Sequence, residues 1–236
     1  MARPESIRCR SVAVVAAATA GLAMSWTGSA GAATLAHTHS PSFAGYEITV
    51  VPTTATAAFK LPVLVCTSVN GGIVPSLDFT NFTTGEFTGV GVFVQCINGT
   101  PTYGALAEIN DRFSYLSQTL NPGDAIRVSL STSASRTTVT VADTTRKSAV
   151  KDSVFGPGGG GSFTGFSVGD STIGSPSEPI VQFGKLTIGQ AKVNGLSLAA
   201  AGPNSISDLY SGSTLQIRTG ALSASGTSFA TTFVHT

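Results

Sequence analysis

"DAIRVSLSTS" (124–133) and "RTTVTVADTT" (136–145) decide how the rest of the chain is read. In the second, Val139 and Val141 alternate with Thr138, Thr140 and Ala142, the period-2 pattern of a strand with one buried face. The first alternates in the same way. Turn residues join them in "TSASR", so the two form a β-hairpin. The character spreads outward in both directions. "SFAGYEITVV" (42–51), "ATAAFKLPVLVC" (55–66), "GVGVFVQC" (89–96) and "TYGALAEI" (102–109) read as strands on the N-terminal side. "SFTGFSVGD" (162–170), "PIVQFGKLTIGQAKVNG" (179–195), "STLQIRTG" (213–220) and "TSFATTFVHT" (227–236) follow. Asn70-Gly71-Gly72, Asn98-Gly99, Asn121-Pro122-Gly123-Asp124 and Gly202-Pro203-Asn204 punctuate them as turns. Only "NSISDLYSG" (204–212) is read as holding a short helical turn. Many close-spaced strands with Gly- and Pro-rich turns predict an all-β two-sheet sandwich or barrel. "FGPGGGGS" (155–162) is read as a long loop inside one domain, able to hang over a sheet face, because strands continue on both sides.

The N-terminus has a different logic. Arg3, Arg8 and Arg10 precede the uncharged run "SVAVVAAATAGLAMSW", and Ala30-Gly31-Ala32 fits a small-residue cleavage site. Residues 1–32 are therefore expected to be a secretory signal, 33–42 a flexible tail, and 43–236 a single domain. The ten residues 33–42 are too few for an ordered inhibitory prosegment. Removing the signal leaves ten basic residues (thirteen less Arg3, Arg8 and Arg10) against eleven acidic ones (twelve less Glu5), a net charge of −1. No Lys/Arg run exceeds Arg146-Lys147, which argues against nucleic acid or an anionic membrane as partner. The expected protein is secreted, monomeric and free of cofactors.

Cys9 leaves with the signal. Export makes a Cys66–Cys96 disulfide the default reading, with two buried thiols as the alternative. Two isolated cysteines make no metal site. His37 and His39 lie in the expected tail and His235 at the C-terminus, so no metal is expected.

Several stretches, in order, resemble the glutamic peptidase (eqolisin) family, especially its secreted actinobacterial members. "FAGY" (43–46) is similar to the family's Trp-Ala-Gly-Tyr, and "FKLPVLVC" (59–66) to its Trp-x-Val-Pro-x-Val-x-Cys strand. "SLDF" (76–79) stands at its Gly-Leu-Asp-Gly. "CINGTPTYGALAEI" (96–109) resembles Cys-x-x-Gly-x-Pro-x-Tyr-x-x-Trp-x-Glu. "LNPGDAIRVSL" (120–130), "VADTTR" (141–146) and "FGKLTIGQAKVNG" (183–195) resemble its later strands.

The resemblance implies a concanavalin-like sandwich of two antiparallel sheets. It also implies a reaction in which a glutamate activates water while a glutamine holds that water and stabilises the oxyanion. The family's Glu-Trp-Ile-x-Glu strand falls on Gly165, Phe166, Ser167, Val168 and Gly169, which places its catalytic glutamate at Gly169. The glutamine falls on Phe87 counting from Leu77-Asp78, or on Gly89 counting back from Cys96. Val74 and Leu106 stand at cleft tryptophan positions, and the chain after the signal has no Trp.

No catalytic residue is therefore expected at the family positions. Glu86 and Asp170 are the carboxylates one residue away. A one-residue shift turns a side chain to the other face of a strand unless a bulge intervenes. Asp78 and Glu108 match the family and are cleft candidates, with a buried structural carboxylate as the plainer role for Glu108. The expectation is a catalytically degenerate relative that binds a peptide or a glycan on its concave sheet. The alternatives are an acid endopeptidase with a relocated carboxylate and a purely structural extracellular domain.

Overall fold

The computed structural model describes residues 35–67, 70–81, 84–156, 163–170 and 179–234. Among them every regular element is a strand. β1 (His37–Ser40) and β2 (Phe43–Ile48) open the chain, followed by β3 (Thr54–Lys60), β4 (Gly71–Thr80), β5 (Phe87–Ile97), β6 (Thr100–Ile109) and β7 (Arg112–Leu116). The expected hairpin is β8 (Ala125–Thr132) with β9 (Arg136–Asp143), and β10 (Ser148–Phe155) extends it. β11 (Phe163–Asp170), β12 (Lys185–Val193), the short β13 (Leu196–Ser197), β14 (Ser205–Ser211), β15 (Thr214–Thr219) and β16 (Phe229–Phe233) complete the set. The Gly-rich stretch 157–162, read above as an overhanging loop, lies outside the described residues, as do residues 1–34.

The strands form two layers. The first runs β16-β15-β14-β2-β11-β4-β5-β6-β7 and the second β12-β3-β8-β9-β10. β8 and β9 pack across from β4 and β5. Strand alternation sends one set of side chains inward from each layer. Leu77, Phe79, Val90, Val92, Phe166 and Val168 from the first meet Ala57, Phe59, Ile126, Val128, Val139 and Val141 from the second, all buried.

β12 joins the layers. Lys185–Ile188 pairs with β16, whereas Gly189, Lys192 and Val193 pair with β3. The register shifts between Gly189 and Lys192, and Gln190 takes a φ of 52°. This bulge re-aims the strand from one sheet to the other.

Three local expectations change. Within residues 204–212, Ser205–Ser211 form strand β14 and no helical turn, because pairing with β2 and β15 satisfies their backbone. His37–Ser40, inside the stretch read as a tail, pairs in parallel with β14. His37 Nδ1 lies 3.0 Å from Asp208 Oδ2, and the His39 ring stacks on Tyr210 at 3.9 Å. The third is Asn70-Gly71-Gly72, read as a turn: Gly71 and Gly72 pair with Cys96 and Gln95 and open β4, a strand whose Pro75 has no N–H for a central ladder. Its pairing with β5 is interrupted between Ile73 and Ser76, so the sheet accommodates the proline locally.

Cys66 and Cys96 are joined, with Cα atoms 5.5 Å apart. The bond ties the irregular segment after β3 to the end of β5, and Tyr103 Oη donates to Pro62 O at 2.9 Å beside it. Replacing both cysteines with alanine removes a cross-link between residues 30 apart and is expected to lower unfolding stability by about 3 kcal/mol. Urea denaturation of the double variant checks this; an unchanged midpoint would contradict it.

Candidate functional site

The outward face of the first layer carries the candidate site. Leu77 and Phe79 point into the core, so Ser76 and Asp78 point out. Register then assembles one cross-strand row. Ser205 stands opposite Glu47, Glu47 opposite Gly165, and Gly165 opposite Asp78. Asp78 stands opposite Gly89, Gly89 opposite Glu108, and Glu108 opposite Phe113. Three carboxyl-bearing residues thus alternate with two glycines, their backbones two strands (roughly 10 Å) apart.

The glycines set the local geometry. A Cβ at Gly165 would lie 2.6 Å from Asp78 Oδ1, so the Asp78 carboxyl occupies the space that a side chain at 165 would need. The Gly165 backbone also hydrogen-bonds that carboxyl. A Cβ at Gly89 would lie 2.7 Å from the Phe87 ring, which covers this position from two residues away.

Burial dominates the electrostatics. The Asp78 carboxyl is pushed up to about 7, first by desolvation and then by the negative charge of Glu47. Glu47 is raised by desolvation, partly offset by the Ser205 hydroxyl that donates to it. Glu108 is raised by desolvation and by Asp111. A parallel row of smaller groups lies alongside. Gly45, Ser167, Ser76, Gly91, Leu106 and Tyr115 stand opposite one another in turn, and Ser76 Oγ lies 3.1 Å from Ser167 Oγ.

At the β7 end the face turns aromatic. Phe93 and Tyr115 meet edge to face at 5.7 Å, and Phe113 and Tyr115 at 4.9 Å. Tyr115 remains 59% exposed, available to a ligand. Phe93, Tyr103, Gly104, Tyr115 and Gln118 line a cavity of about 350 Å³ there.

The residues singled out in the sequence fall unevenly on this face. Asp78 and Glu108 share the row with Gly89. Phe87 stands opposite Thr80, with its ring over Gly89. Gly169 stands opposite Val74, four residues along β4 from Asp78 and about 13 Å from the row. Gly165 is the β11 position that lies in line with Gly89. Glu86 sits before β5, where its carboxylate accepts from Thr84 Oγ1 at 2.9 Å, off the row. The Asp170 backbone stands opposite Ile73 at the end of β11. Sequence reasoning passed over Glu47, which follows Phe43 and Gly45 on one face of β2. Its signal was that alternation, yet only the β2–β11 register brings it beside Asp78. Among the described residues no three His, Cys, Asp or Glu side chains gather as a metal-binding group.

The model of the peptidase A4 family matches residues 42–231. The chain belongs to that family. As a peptidase A4 family member it shares its fold with scytalido-glutamic peptidase, solved with a peptide-based transition-state analogue. Identity to that chain is 20% and the TM-score 0.66, over 84% of this chain and 100% of the other. SCP-B, an eqolisin solved with the tripeptide Ala-Ile-His, matches at 20% identity and a TM-score of 0.64, over 84% and 100% of the two chains. Aspergilloglutamic peptidase from Aspergillus niger matches at 22% and 0.57, over 70% and 99%. No curated protein matches the sequence.

A carboxyl raised in this way gives the family member a specific pH dependence. Asp78 holds its proton more tightly in the folded chain than in the unfolded one, so between its ordinary value and about 7 the folded state binds more protons. Stability contributed at this site is present at low pH and falls as pH rises through that window. Asp78→Asn, neutral and of the same shape, is expected to raise the melting temperature at pH 8 and leave it nearly unchanged at pH 4. Equal destabilisation at both pH values would contradict the assignment.

Proposed function

We propose that this chain is a secreted, catalytically silent member of the peptidase A4 family that binds an extended peptide across the row Glu47–Asp78–Glu108. The observation that carries the reading is the covered glycine. In the family resemblance the glutamine that would polarise the substrate carbonyl falls on Gly89 or Phe87, neither an amide, and here the Phe87 ring fills the start of a side chain's path at Gly89. Gly169 offers no carboxylate to activate water, and Gly165, in line with Gly89, offers none either. Loss of one oxyanion donor costs about 10²- to 10³-fold in rate. Loss of a general base costs about 10²- to 10⁴-fold more.

Binding uses what remains. Two similar structures hold peptide-like ligands, which supports a peptide over other polymers. An extended segment lying on this face would set basic or amide side chains against the three carboxyl groups and an apolar one against Phe113 and Tyr115. The signal-like N-terminus and the disulfide support export.

A second reading rests on the Asp78 carboxyl near 7 beside Glu47, an acid–base pair of the kind that catalysis uses. An unfolded protein substrate separates the two. Incubated from pH 2 to 8, it is expected to be retained by the chain without cleavage, and Asp78→Asn with Glu108→Gln is expected to reduce retention. Cleavage that disappears in Asp78→Asn and in Glu47→Gln would overturn the silent reading in favour of a relocated dyad.

A further inference from the structure

The outward face of the second layer has the opposite character. Lys60 follows buried Phe59, and Arg127 lies between buried Ile126 and Val128. Lys192 lies between buried Ala191 and Val193, and Arg136 precedes buried Thr137. Lys151 stands opposite Thr140, itself between buried Val139 and Val141. Alternation therefore puts five cations, dispersed over β3, β8, β9, β10 and β12, on one exposed face. The acidic residues of these strands, Asp143 and Asp152, stand opposite Ile126 and Val139 on the inner side.

Lys60, Arg127, Lys151 and Lys192 make no ion pair among the described residues. Arg136 is held over the Phe155 ring at 4.9 Å and donates to Ser153 Oγ at 3.3 Å. Lys60 and Arg127 flank a depression of about 550 Å³ whose walls include Thr144, Thr187 and Gln190.

One row of this face reads Lys192, Thr56, Ser129, Thr140, Lys151 across five strands. Two cations about 19 Å apart thus bracket three hydroxyls in line. We propose that this face binds an acidic polysaccharide, with anionic groups at Lys60, Arg127 and the row's two lysines and sugar hydroxyls against the Thr and Ser side chains. The charge complementarity is one-sided, and among the described residues no carboxylate on the face screens it. The hydroxyl array suits a sugar polymer. A single-stranded nucleic acid would call for repeated aromatic platforms for its bases, and among the described residues Phe155 is the lone exposed ring at the edge of this face. A membrane would call for apolar side chains to enter its interface.

The test uses the full secreted chain in affinity gel electrophoresis and in interferometry against dextran sulfate, neutral dextran, a mixed-sequence DNA duplex and phosphatidylserine vesicles, at 20 and 200 mM NaCl. Dextran sulfate is expected to retard the chain, with binding weakened by salt, while neutral dextran does not. Lys60→Gln and Arg127→Gln are each expected to weaken binding by about fivefold and to flatten its salt dependence. Arg112→Gln, which removes the same charge from β7 in the other layer, is expected to leave it unchanged. Absence of dextran sulfate binding would overturn the proposal. So would an equal loss in Arg112→Gln, or tighter binding to DNA or vesicles. Unchanged melting temperatures confirm that the exposed substitutions leave the fold intact.

Discussion

Tyr46, Phe166, Leu77, Val90 and Ala107 stand opposite one another across five strands, all but inaccessible to water. This apolar row fixes the register of β2, β11, β4, β5 and β6, because a slip of one residue would turn every one of these side chains to solvent. The acidic row is the consequence. Glu47, Gly165, Asp78, Gly89 and Glu108 are each the immediate chain neighbour of a member of the buried row, so the core places them in line on the opposite face. Burial of apolar side chains thus holds carboxyl groups where desolvation raises them.

The same alternation polarises the molecule. The first layer shows carboxyl groups and the second shows cations, while residues 33–236 carry a net charge of only −1. Net charge reports nothing of this, since it sums two faces that look in opposite directions. The glycines add a second layer of control. At Gly165 the missing side chain admits the Asp78 carboxyl, and at Gly89 it admits the Phe87 ring. Restoring a larger residue at either position therefore displaces a group already in place.

Much of the fold was legible from local pattern. The β8–β9 hairpin and the strands around Phe166 and Val90 follow from alternation, and the Cys66–Cys96 pair from an even count of two cysteines after residue 33. β4 was legible only as a family motif, because Pro75 argues against a central strand. β14 was misread for lack of its partners, since its pairing with β2 and β15 overrides a weak local preference. Asp78 and Glu108 were recognisable by resemblance, whereas Glu47 and the cationic face were not. Their grouping depends on which strands are neighbours, and strand order is a long-range property that no local stretch carries. The distance between Gly169 and Gly89 belongs to the same class, since it emerges only from the β11–β4–β5 register.

The central claim is that a core-locked row sets the Asp78 carboxyl beside Glu47 in a desolvated site. Carbon-13 NMR titration of the Asp78 carboxyl measures this directly, in the native chain and in Glu47→Gln. The account predicts a midpoint near 7 in the native chain and a lower one in the variant, since removing the neighbouring charge favours ionisation. A midpoint in the ordinary aspartate range, unmoved by Glu47→Gln, would contradict it.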